Sequence, residues 1–129
     1  MKRKVWVVMA LAAFIAASLV MAAELKVEDA AICKAVVDRA PQEPGTTFAA
    51  DVGKLYCFTK IVGGAEGTMI KHVWSFGDKE VGSMDLKVGA EAWRTWSSKT
   101  IDPSQKGAWK VEVKDAEGKV LSTLNFTIQ

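Results

Sequence analysis

Trp109, Val111 and Val113 alternate strictly with Lys110, Glu112 and Lys114. That two-residue period fits an extended strand with one face in a core and the other in water. Strand signals recur along the chain. Leu55 to Val62 is aromatic and β-branched on both faces, as in a central strand. Met69 to Phe76 and Val81 to Val88 flank a Gly77-Asp78 turn, Gly89-Ala90 makes a corner, and a strand follows around Trp93. Asp102 to Gly107 turns the chain into the Trp109 strand, and Asp115 to Gly118 closes a hairpin onto Val120, Leu124, Phe126 and Ile128. Leu25 to Val37 suits either a helix or a strand. It is assigned as an edge strand so that Cys33 can reach its neighbour. Arg39 to Gly45, with two prolines and a glycine, is expected to be an irregular crossover. The expected fold is all-β: a single immunoglobulin-like β-sandwich of about seven strands.

The N-terminus follows a different rule. Lys2, Arg3 and Lys4 precede an uncharged apolar run from Val5 to Ala23, the pattern of a secretory signal. Val20 and Ala22 occupy the small-residue positions before a cut, so residues 1–22 are assigned as signal and 23–129 as the domain. The run is also long enough to serve as an uncleaved anchor, the one circumstance in which a membrane enters this reading. The expected location is periplasmic or extracellular. Removing the three N-terminal cations from 17 leaves 14 against 15 acidic residues. Acids and bases are interspersed, which argues against a nucleic-acid partner.

Cys33 and Cys57 are the only cysteines, and in an exported chain they are expected to form a disulfide. Closing that loop would stabilise the fold by about 3–4 kcal/mol in the chain-entropy model. Gly63 to Gly67 lacks the Lys-Ser/Thr and following helix of a phosphate loop and reads as a hairpin loop. His72 is the single histidine, so no multi-histidine metal site is expected, and no cofactor motif is present. A triad would need His72 with Ser75, Ser97 or Ser98 and an acid such as Asp78 or Asp85, but no nucleophile-elbow motif fixes that geometry. The simpler role for His72 is a hydrogen-bonded structural histidine beside Trp74.

The densest mix of aromatic, cationic and hydroxyl groups is Trp93-Arg94-Thr95-Trp96-Ser97-Ser98-Lys99. On a strand, Trp93, Thr95 and Ser97 share one face and Arg94, Trp96 and Ser98 the other, so one indole is expected in the core and one near the surface. Trp74 and Trp109 read as core. Arg94 with Trp96 can stack on each other or receive a sugar ring or peptide. The candidate ligand-binding residues are His72, Trp74, Arg94, Trp96 and Ser98.

Cys33, Pro41, Leu55-Tyr56-Cys57-Phe58-Thr59, His72-Val73-Trp74, Trp93 to Lys99 and Gly107-Ala108-Trp109-Lys110-Val111 occur here in that order. In this the chain resembles, over nearly all of its length after the signal, a bacterial family catalogued as domain of unknown function 2914. The resemblance implies an exported or membrane-tethered β-sandwich and transfers no reaction. The functional expectation is a non-enzymatic binding module for an envelope protein or glycan. The alternative is a structural accessory domain whose His/Arg/Trp cluster is core packing. Exposure of the cluster separates the two.

Overall fold

The computed structural model describes residues 24–129; the signal assignment lies outside the described residues. The seven long strands expected from the sequence are all present: β1 (Lys26–Cys33), β5 (Lys54–Val62), β6 (Thr68–Phe76), β7 (Lys79–Val88), β8 (Ala92–Thr100), β9 (Gly107–Asp115) and β10 (Val120–Ile128). Three short ones join them, β2 (Ala35–Val37), β3 (Ala40–Gln42) and β4 (Thr47–Phe48).

The strands form two facing sheets. One has the order β1-β5-β8, with β5 central as its two apolar faces require; the other has the order β4-β10-β9-β6-β7. At their edges β8 lies beside β7 and β1 beside β10. Consecutive long strands pair in β6–β7 and β9–β10, and every long-strand pairing within the sheets is antiparallel. The fourth long strand, β7, pairs with the third, β6. This differs from the four-plus-three division of a constant-type immunoglobulin domain, where that strand joins the opposite sheet. The Gly63–Gly67 loop therefore crosses between sheets and is not a hairpin loop, because β5 and β6 belong to different layers.

Alternation decides what fills the space between the sheets. The larger apolar cluster packs Leu55, Cys57, Trp74, Trp109, Val111 and Phe126 together with residues from β1 and β4. The smaller joins Ile61, Ile70, Val88 and Val113. Trp74 and Trp109 are buried, as expected. Phe126 is the hub: its ring stacks on Trp109 at 5.7 Å between centroids and meets Trp74 and Phe48 edge-on, both at 6.1 Å.

Two expectations for the first forty residues of the domain are corrected. The Leu25–Val37 strand breaks at Lys34, and the irregular crossover is in part a hairpin: Ala35, Val36 and Val37 pair with Gln42, Pro41 and Ala40. Pro41 is tolerated because a two-residue loop, Asp38-Arg39, makes Val37–Ala40 the hydrogen-bonded pair. Val36–Pro41 is then the non-bonded one, where no N–H is needed. The hairpin contacts β1 and β5. The second correction concerns the disulfide. Cys33 and Cys57 are buried free thiols. Cys33 is registered opposite Tyr56 and Cys57 opposite Ile32, so strand alternation sends the two sulfurs to opposite faces of the sheet. The Cys57 thiol faces the core and the Cys33 Sγ approaches the Tyr56 carbonyl at 3.8 Å. Burial raises both thiol pKa values, and a charge on Cys33 would push Cys57 further in the same direction.

Candidate functional site

β8 carries the candidate site because its two faces meet different surroundings. The inward residues Ser97 and Thr95 lie opposite Cys57 and Thr59 of β5; the outward Trp96 and Arg94 lie opposite Phe58 and Lys60. Inward, a chain of hydrogen bonds joins the two sheets. Trp74 Nε1 donates to Ser97 Oγ at 3.0 Å, and Ser97 Oγ is 2.6 Å from His72 Nδ1. His72 Nε2 is 3.3 Å from Thr59 Oγ1, which donates to the Thr95 carbonyl at 2.9 Å.

That terminal carbonyl can only accept, so the direction of the whole chain follows. Thr59 spends its proton on Thr95 and accepts from His72 Nε2–H; Nδ1 is then the acceptor for Ser97 O–H, and Ser97 accepts from Trp74. His72 is therefore the neutral Nε2–H tautomer. A proton on Nδ1 would turn the Ser97 hydroxyl into an acceptor from both His72 and Trp74 and leave its own proton without either of these partners. His72 is 0% exposed, and burial pushes its pKa down to about 4. Among the described residues no buried side-chain nitrogen or oxygen lacks a partner. Along β5 and β6 this polar layer separates the two apolar clusters, since Thr59 lies between Cys57 and Ile61, and His72 between Ile70 and Trp74.

His72 and Ser97 approach as a nucleophile and base would. Both are sealed, however: Ser97 is 2% exposed, and the far side of the ring meets Thr59 instead of an acid. Among the described residues no group of three or more His, Cys, Asp and Glu is placed to hold a metal ion.

The outward face of β8 is open. Trp96 is 37% exposed and Arg94 is exposed, while Ser98, opposite Tyr56, is half-buried. Of the five candidate ligand-binding residues, the structure thus keeps Arg94 and Trp96 at the surface, with Ser98 beside them. His72 and Trp74 lie in the core on the other side of the sheet. The expectation of one core indole on β8 is corrected as well. Trp93 is 38% exposed, because it stands at the start of the strand and its ring covers Gly89 at the open end of the sandwich, where a Cβ would come within 2.9 Å.

Trp93, Arg94 and Trp96 line a cleft of about 500 Å³ together with Lys60, Ala90, Ala92 and Arg39. The sequence reading did not single out Lys60 or Arg39. Arg39 arrives from the tip of the β2–β3 hairpin, where Asp38 and Arg39 both have positive φ, 51° and 60°. Two consecutive left-handed residues define the type I′ turn that joins closely paired strands. The signal for that turn is usually Asn-Gly or Asp-Gly. With Arg in place of Gly, the hairpin and its cation were hidden.

Fold and site together define a small two-layer β-domain with a sealed polar bridge and a cationic, aromatic cleft on its three-stranded sheet. Within that class the chain resembles the family described as "Protein of unknown function (DUF2914)", whose profile matches residues 67–128. The match spans β6 to β10 and so includes His72, Trp74 and the Trp93–Lys99 segment, whereas Cys33, Pro41, Cys57 and the hairpin lie outside it. No curated protein matches the chain.

Proposed function

We propose that this chain is an exported, non-enzymatic binding module that recognises a protein or glycan of the cell envelope with the outer face of the β1-β5-β8 sheet. The observation that carries the reading is the exposure of Trp96 and Arg94 on one face of β8, at a cleft that Trp93 also lines. Large aromatics cost apolar hydration when left in water, and an aromatic patch rimmed by charge is a common contact surface. The other face of the same strand is tied down by Ser97 and the Thr95 carbonyl, which holds the contact residues in place. Export rests on the Lys2–Ala22 pattern, and periplasmic or extracellular location follows from it. The scaffold alternative suits His72 and Trp74, whose indole and imidazole are packed in the interior, and does not suit Arg94 and Trp96.

The test is intrinsic tryptophan fluorescence titrated with cell-wall glycans and with envelope proteins, in the wild type and in Arg94→Ala and Trp96→Ala. The reading expects a saturable change that both variants lose while their melting temperatures hold. Wild-type binding that survives both substitutions would remove the site from this face.

A further inference from the structure

The cleft at Trp93, Arg94 and Trp96 also holds a charge arrangement that strand pairing alone would disfavour. Lys60 and Arg94 are registered directly opposite each other on β5 and β8, and like charges in that position repel. Arg39 adds a third cation from the hairpin tip, in a backbone conformation that a non-glycine residue adopts at a cost. Among the described residues the one ion pair of this cluster is made by Lys60, on its β1 side. Lys60 Nζ pairs with Glu28 at 3.2 Å, and Asp29 is registered against Lys60 on β1. Among the described residues neither Arg39 nor Arg94 has an ion pair. Two guanidinium groups without carboxylate partners thus border a cleft that the outward, exposed Trp96 and, at the start of β8, Trp93 also line.

Resting on the binding-module reading, we propose that this cleft takes an acidic sugar unit of a glycan, with an indole against the apolar face of the ring and Arg94 and Arg39 on its carboxylate or phosphate. Guanidinium groups offer paired N–H donors that match the two oxygens of such an anion, and Lys60 adds a point charge beside them. The cleft volume falls within the usual range for small ligands, about 300–1,000 Å³. The outward Trp96 indole favours a ring-bearing ligand over an extended acidic peptide, which would satisfy the cations but leave the aromatic surface without a flat partner.

The test is calorimetric titration of the protein with four probes: an oligogalacturonate, a sugar phosphate, a neutral cello-oligosaccharide and an oligoglutamate. The proposal expects the oligogalacturonate or the sugar phosphate to bind at least tenfold more tightly than the neutral oligosaccharide and the oligoglutamate. The stronger of the two identifies carboxylate or phosphate as the anion. That affinity should fall as NaCl rises from 50 to 300 mM, and Arg39→Ala and Arg94→Ala should each weaken it at least fivefold with unchanged melting temperatures. Lys110→Ala, on the opposite sheet, should leave it unchanged. Equal binding of the neutral oligosaccharide would overturn the acidic preference while leaving a glycan-binding module. Oligoglutamate binding as tightly as the acidic sugars would overturn the sugar. Silence to all four probes, alongside a fluorescence response to an envelope protein that Trp96→Ala abolishes, would overturn this inference and leave the broader reading standing.

Discussion

Protonating His72 should unfasten the two sheets, and the size of the effect follows from its surroundings. The imidazole is neutral in the fold, with its pKa lowered from 6.5 to about 4 by burial. The unfolded chain therefore takes up a proton in a window where the folded chain does not. Stability is complete above pH 6.5 and declines as pH falls from 6.5 to 4. At 1.36 kcal/mol per unit, the loss approaches about 3 kcal/mol below pH 4 and is about 2 kcal/mol at pH 5. For a domain of this size 2 kcal/mol corresponds to a melting temperature lower by about 8 °C or more. Asp102 falls outside this window. Hydrogen bonds from the Ser104 backbone and hydroxyl lower its pKa below 3.8, so its contribution is lost only at more acidic pH. The assay is urea unfolding at half-unit steps from pH 7.5 to 4.5, in the wild type and in His72→Gln, whose amide can still bond Ser97 but does not titrate. The variant should start less stable and lose the 6.5-to-4 slope. Equal slopes in the two proteins would refute the reasoning, since the titration would then belong to other groups.

Three further outcomes follow from particular contacts. Phe126→Ala removes the ring shared by Trp109, Trp74 and Phe48 and should cost about 3–5 kcal/mol in denaturant unfolding, against under 1 kcal/mol for Thr127→Ala on the exposed face of the same strand. Both thiols should resist alkylation in the native protein and react once it is unfolded in urea, because burial keeps them protonated; a mass that rises on reduction would show instead that they are joined. Arg39→Gly should raise stability by about 1 kcal/mol, because glycine adopts a φ of 60° without strain, while weakening binding of an acidic sugar. A stability loss there would mean that the arginine side chain, and not its backbone, governs the hairpin.

Much of the architecture was legible because alternation is a local signal. Trp109, Val111 and Val113 face inward as their spacing requires, and Trp74 is buried on the third long strand. What escaped depends on information that is not local. Cys33 and Cys57 lie on neighbouring strands, as a disulfide would need, but registers differing by one residue place their side chains on opposite faces, and register cannot be read from spacing. The Arg39 turn lacked the glycine that usually marks a two-residue hairpin. At the site, the sequence grouped His72 and Trp74 with Arg94 and Trp96 by proximity of type. The fold divides them: β6 supplies interior struts that grip the inward side of β8, and the outward side of β8 carries the exposed groups. Trp93 escaped differently, because strand parity places it inward while its position as the second residue of β8 leaves it at the strand's end, over Gly89.

The central claim is that alternate residues of β8 divide into struts and contacts, and a scan of that single strand tests it most directly. Melting temperature and ligand titration would be measured on Arg94→Ala, Trp96→Ala and Ser97→Ala. Ser97→Ala leaves the Trp74 N–H and His72 Nδ1 without partners and should cost about 2–5 kcal/mol, whereas the other two should melt as the wild type does and lose binding. A Trp96→Ala protein that unfolds early, or that binds as the wild type does, would contradict the division.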